Sequence, residues 1–216
     1  MPSAVQMEYE IVLQHADFVV INKPVGVAVH QDDGDIGLLA QVAAQLNVPR
    51  LWLVHRLDKV TSGVLLLAKN AAAASELAQQ FADKKVQKTY LALSEHKPLK
   101  KQGWVRGDMQ KSRRGAYKLC RSQNNPAITQ FFSRSIAPNW REFELHPHTG
   151  KTHQLRVAMK SLGSPIFGDE LYGGTPATRV FLHACRLQFN YCGQTFIAHA
   201  PVDALWQAHL ALLNLC

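Results

Sequence analysis

Apolar residues in this chain fall into short runs separated by turn-forming residues. Ile11–Leu13 and Phe18–Ile21 flank His15-Ala16-Asp17 and read as two strands about a bend. Asn22-Lys23-Pro24-Val25-Gly26 interrupts them, with Lys23 where a turn would aim its side chain outward, and Val27–Val29 resumes as strand. Asp35 precedes a helical spacing (Ile36, Leu39, Ala40, Ala43, Leu46) that Asn47-Val48-Pro49 stops. Thr61-Ser62-Gly63 is a turn signal leading into Val64–Ala68, an unbroken apolar run that predicts a buried strand. Asn70 then caps an Ala-rich helix to about Lys84, with Glu76 early and a Lys pair at the end, as the helix dipole favours.

Lys88–Leu93 predicts a strand with Tyr90 on one face. Residues 97–121 are polar, basic and punctuated by Gly, with strand-like pieces at Trp104–Gly107 and Ala116–Cys120; they read as a protruding basic hairpin or insertion. Ala127–Ile136 and Trp140–Leu145 are two further strands joined across Ala137-Pro138-Asn139. A helix from about Thr152 to Leu162, stopped by Gly163, would put His153 and Arg156 on one face. Gly168–Gly174 is a loop, Phe181–Phe189 and Thr195–Ala198 form a strand pair, and Asp203 caps a closing helix from Ala204 to about Leu213. Strands outnumber helices and often follow one another directly. The pattern predicts an α+β fold, a mixed, largely antiparallel central sheet flanked by helices. No repeat or linker is visible, so residues 1–216 are expected to form a single domain.

Charge adds a partner to this picture. The net charge is +8, and twelve of the 24 Lys and Arg lie between Lys84 and Arg121, against the acids Glu95 and Asp108. Such asymmetry points to a polyanion, although a solvated basic face gives the same composition. The N-terminus lacks a signal-peptide pattern and no apolar run is long enough to span a bilayer, so a cytoplasmic protein without membrane partners is expected. Cys120, Cys185, Cys192 and Cys216 show no Cys-x-x-Cys spacing and read as reduced thiols.

Several motifs fail. Thr149-Gly150-Lys151-Thr152 ends like a phosphate-binding loop, but Leu145 stands where that motif needs its first Gly, which argues against a nucleotide cofactor or a phosphoryl-transfer enzyme. No Gly-x-Ser-x-Gly is present. His146, His148 and His153 show no ligand spacing with Cys185 or Cys192, so no metal is expected. What remains is a coherent set. Asp58 sits in His55-Arg56-Leu57-Asp58-Lys59-Val60-Thr61-Ser62-Gly63, displayed on a loop tied to a core strand. A buried nucleophilic carboxylate needs a guanidinium to stay ionised, and Arg156 is available. Tyr90 offers a face on which a base can stack and a hydroxyl for proton work. The helix start at Lys151-Thr152 is a natural phosphate seat. Taken singly, each has a plain alternative: a surface ion pair of Arg56 with Asp58, a sheet tyrosine, a surface helix arginine.

The sequence resembles the RluA-type pseudouridine synthase family over nearly its whole length. The matching pieces are Lys23-Pro-Val-Gly26 with His30, His55-Arg-Leu-Asp-Lys-Val-Thr-Ser-Gly63 with Ala68-Lys69, and Lys88-Thr-Tyr90. They continue with Thr149-Gly-Lys-Thr-His-Gln-Leu-Arg156, Gly163-Ser-Pro-Ile-Phe-Gly-Asp169, Tyr172-Gly173 and Leu182-His183-Ala184. The resemblance implies that Asp58 is the catalytic aspartate, Tyr90 the active-site tyrosine and Arg156 the arginine paired with the catalytic carboxylate. It implies that Arg56 enters the RNA stack as the uridine leaves it, and we group His55, Lys23, Lys151, Thr152 and His153 with it as RNA-contacting residues. Lys151 departs from the family's usual Arg; it keeps the charge but loses the bidentate fork. With a first strand near residue 11, no small RNA-binding module is expected ahead of the catalytic domain. The implied activity is isomerisation of uridine to pseudouridine in structured ribosomal or transfer RNA, by a monomer without cofactor. A non-catalytic RNA-binding or remodelling protein with the same basic surface is the competing class.

Overall fold

A computed structural model of the chain describes residues 7–29 and 37–213; the expected cap Asp35, and Ile36, His30 and Cys216, lie outside them. The strands and helices in chain order are β1 (Glu10–Gln14), β2 (Phe18–Lys23), α1 (Leu38–Gln45), β3 (Trp52–Leu53), β4 (Ser62–Ala68), α2 (Ala71–Ala82) and β5 (Gln87–Ser94). Then come β6 (Gln102–Gly107), β7 (Met109–Lys111), β8 (Tyr117–Leu119), β9 (Ala127–Ala137), β10 (Trp140–Pro147), α3 (Gln154–Ser161), β11 (Leu182–Tyr191), β12 (Gln194–His199) and α4 (Ala204–Leu213). The fold is α+β, a mixed, largely antiparallel central sheet with these helices. The chain divides into two compact units, Met1–Val86 with Leu187–Pro201, and Gln87–Arg186 with Val202–Cys216.

In the first unit β2 pairs antiparallel with β1 and with β4, setting Val20 opposite Leu66. Phe18–Ile21 and Ser62–Ala68 are buried on both faces, so their sequences run apolar without alternation. Phe18 meets Phe189 and Phe196 at ring distances of 5.2 and 5.1 Å. The Asn70 carboxamide caps α2 as expected, accepting from the Ala73 N–H at 2.9 Å and donating to Asp17 at 2.8 Å. That helix ends at Ala82; Lys84, at φ 59°, already lies beyond it. Helix α1 buries Leu38, Val42 and Ala43, one residue out of step with the spacing read from Leu39 and Leu46.

Two expectations around Lys23 are overturned. Its side chain turns inward and is fully buried, with Nζ donating to the carbonyls of Pro24 and Val27, each at 2.9 Å. An ammonium held in the interior needs such acceptors. The same bonds draw the Val27 carbonyl to the lysine, and Val27–Val29 is irregular rather than strand.

In the second unit β10 lies between β5 and β9, all antiparallel, with Tyr90 opposite Leu145 and His146 opposite Gln130. Within the segment expected as a basic hairpin, Gln102–Gly107 joins the main sheet against β9, and only β7 with β8 forms a separate two-stranded hairpin. Leu93, Phe181 and Trp206 make a buried cluster under α4, whose first turn is capped by Asp203 accepting from the Trp206 N–H at 2.9 Å.

Candidate active site

The Asp58 loop runs from β3 back into β4, two strands that are themselves paired. Its conformation follows from an alternation of inward and outward residues. The His55 ring stacks on Phe81 of α2 at 4.4 Å, and its Nε2 accepts the Leu66 N–H at 3.0 Å. A nitrogen that accepts carries no proton, so the ring's proton is on Nδ1. Leu57 is buried, Arg56 between them is exposed, and Asp58 is half-buried. The Asp58 carbonyl then accepts the Thr61 N–H at 2.9 Å, closing a tight turn, and the Lys59 carbonyl accepts the Gly26 N–H at 2.8 Å. The Lys23–Gly26 turn is thereby fastened to the Asp58 loop. Gly63, at φ 113°, lets the chain leave this turn and enter β4 in a backbone shape that side chains resist. His55 is thus a loop anchor, a role the sequence reading did not give it.

In the second unit Tyr90 is half-buried on β5, and Lys88 precedes it by two residues on the same face. The Lys88 ammonium donates to the Thr149 carbonyl at 3.2 Å; burial lowers its pKa to about 8. The segment Thr149–Arg156 is organised by Gln154, a residue the sequence reading passed over. Its Oε1 accepts from the Thr149 hydroxyl at 2.6 Å and the Lys151 N–H at 3.1 Å. Its Nε2 donates to the Ile128 carbonyl and to Thr129 Oγ1, both at 3.0 Å. The Thr149 hydroxyl also accepts the Ile128 N–H at 2.9 Å. The loop is clamped to β9 by one carboxamide.

This changes the expected helix start. α3 begins at Gln154, and His153 stands before it in the left-handed region at φ 58°, so His153 and Arg156 do not share a helical face. The Lys151 N–H, expected to face a phosphate, bonds Gln154 instead, and the Lys151 ammonium donates to the Asn125 carbonyl; Thr152 is exposed. His153 Nδ1 lies 2.8 Å from the Tyr172 hydroxyl, which accepts the Tyr117 N–H at 2.9 Å and so directs its own proton to the histidine.

Arg156 is buried and forked onto Asp169, Nε to Oδ2 and Nη2 to Oδ1 at 2.7 Å each, with its guanidinium 4.8 Å from the Tyr172 ring centre. Asp169, also buried, lies in the Gly168–Gly174 loop. Gly168 is required there: a Cβ would sit 1.8 Å from the Arg179 carbonyl oxygen, and its φ is 84°. Among the described residues no three His, Cys, Asp or Glu side chains gather as a metal site, and no helix is long and apolar enough to cross a membrane.

Residues 17–161 match the family model for RNA pseudouridylate synthase, and the chain belongs to that family, whose enzymes isomerise uridine in RNA. It is 60% identical over 187 residues to a Haemophilus influenzae protein called an uncharacterized RNA pseudouridine synthase, covering 86% of this chain and 84% of that one. It is 40% identical over 185 residues to a ribosomal large subunit pseudouridine synthase C of Rickettsia bellii, of which it spans 61%. The solved human RNA pseudouridylate synthase domain containing 4 superposes with a TM-score of 0.80 at 27% identity, over 95% of this chain and 93% of that one.

Proposed function

We propose that Asp58 is the carboxylate that starts uridine isomerisation in this enzyme. The observation that carries the assignment is its presentation: half-buried, at the head of a closed turn whose flanks, His55 and Leu57, are locked to the scaffold. A catalytic group must be held to within a fraction of an ångström, and loops pinned to strands do this. The target uridine leaves the stack, because its reacting edge is inaccessible inside a helix. The C1′–N1 bond breaks, the uracil turns, and C1′ bonds to C5; the C5 proton leaves and N1 gains one, with no net redox change.

Tyr90 supplies the face against which the extruded uracil lies. Arg156, held by Asp169, is the guanidinium we assign to the catalytic carboxylate. Arg56, Lys151 and Thr152 contact the RNA, while Lys23, His55 and His153 act through the loops they hold. Residues 1–216 work as one catalytic domain, a monomer in the cytoplasm, with the basic segment 97–121 gripping phosphates and making affinity salt-dependent. The names of the curated relatives favour ribosomal over transfer RNA as substrate.

The test uses ribosomal and transfer RNA carrying tritium at uracil C5. Wild-type protein is expected to release tritium from ribosomal RNA, and Asp58→Asn to release none while binding RNA with similar affinity. Turnover by Asp58→Asn would remove Asp58 from the mechanism.

A further inference from the structure

One sheet face of the second unit takes no part in this chemistry. Along β6, β9 and β10 the residues Val105, Thr129, Phe131, Phe143 and Leu145 point to one side, where they are buried and where Gln154 bonds Thr129. Tyr90, opposite Leu145, belongs to that side. Alternation sends their neighbours to the other side. There Gln102 pairs with Phe132 and Phe132 with Glu144, and Trp104 pairs with Gln130 and Gln130 with His146.

Toward β6 this face is open and aromatic, whereas at its β5 end Leu91 and Leu93 are packed against Trp206 of α4. Trp104 is 45% exposed and Phe132 39%. The Trp104 ring rests against His148 at 5.0 Å, and the Arg106 guanidinium lies 4.8 Å from its centre. Phe132 meets the edge of His146 at 5.9 Å. The acids on this face are engaged, Glu142 by Arg134 and Glu144 by His146. Arg106 stands beside Trp104, in a stretch from Lys97 to Arg121 whose nine Lys and Arg oppose the single acid Asp108. Burial, followed by the charges of His146, Lys88 and Arg106, lowers the pKa of His148.

Trp104 and Phe132 are diagonal neighbours on adjacent strands, which sets the two residues roughly 7–8 Å apart. That spacing admits two bases lying on successive rings along an extended strand. We infer that Trp104, Phe132 and Arg106 form a stacking platform for an unpaired segment of the RNA substrate, on the sheet face opposite Tyr90. Aromatic rings on a sheet beside a cation are what splayed bases and their phosphates require. The platform rests on RNA being the substrate, and it gives the enzyme a grip on single-stranded RNA away from the reacting uridine.

The probe is a fluorescein-labelled 12-nucleotide oligouridylate, with a 12-base-pair RNA duplex alongside, read by anisotropy. Trp104→Ala/Phe132→Ala is expected to lose about thirtyfold or more in affinity for the single strand and little for the duplex, since both stacking rings are removed. Trp104→Phe, which keeps a ring, should bind within about threefold of wild type, and Leu205→Ala, an exposed residue on α4, should bind unchanged. Thermal melts of each variant check folding. Equal single-strand affinity in the double variant overturns the platform, as does an equal loss on duplex. Tritium release from ribosomal RNA by the wild type is scored separately: its absence would count against the substrate reading, whereas oligouridylate binding tests the platform alone.

Discussion

Replacing Gln154 by Leu conserves bulk near β9 while removing both ends of the carboxamide clamp. Four contacts are lost, to the Thr149 hydroxyl, the Lys151 N–H, the Ile128 carbonyl and Thr129 Oγ1, at 2.6 to 3.1 Å. A hydrogen bond in a folded protein contributes about 1 kcal/mol net, and a buried group left without a partner costs about 1–3 kcal/mol. Thr149 keeps its bond from the Ile128 N–H and the Lys151 N–H is near solvent, so the sum is about 3–5 kcal/mol rather than the maximum. For a chain of this length that corresponds to a melting temperature lower by roughly 6–20 °C. Circular dichroism follows the melt, and amide hydrogen exchange reads the site directly: the Lys151 amide should lose its protection. Gln154→Glu retains the acceptor but not the donor, so it should fall between wild type and Leu. An unshifted melt together with unchanged exchange at Lys151 would refute the clamp.

Asp169→Ala strands the buried Arg156 guanidinium and is expected to cost about 3–5 kcal/mol in urea unfolding, whereas Arg156→Met/Asp169→Leu, which removes both charges, should recover most of that loss; a double variant as unstable as the sum of the singles would contradict it. Lys88 gives up its proton near pH 8 in the folded protein but near 10.5 when unfolded. Between these values the unfolded state binds more protons, so stability should rise with pH across that window, and Lys88→Met should remove this part of the rise in urea midpoints.

The parts of the fold decided by local chemistry were legible in the sequence. Val64–Ala68 had to be a buried strand because nothing in it tolerates water, and Asn70 had to cap because a helix start needs an acceptor. Asp58 was legible as a displayed carboxylate because turn residues and a core strand follow it. What escaped was decided by backbone shape close by or by partners far along the chain. The outward reading of Lys23 failed because two carbonyls of its own turn close over the ammonium. Helical spacing placed His153 with Arg156, but a hydrogen bond to Tyr172, 19 positions on, accompanies a left-handed residue there. The carboxylate forked to Arg156 was equally hidden, since Asp169 stood in a loop and in a matching motif to which no role was given.

The division of β11 has a consequence for synthesis on the ribosome. Leu182–Arg186 belong to the second unit and Leu187–Tyr191 to the first. The first unit therefore lacks its closing strands until residue 201 has left the exit tunnel, although most of it is translated first. The strands between Gln87 and Arg186 emerge in that interval and can associate among themselves. This topology works against the usual order, in which the earlier-translated unit matures first. Until then the apolar strands Phe18–Ile21 and Val64–Ala68 stay incompletely covered, and these are the segments a nascent-chain chaperone would hold.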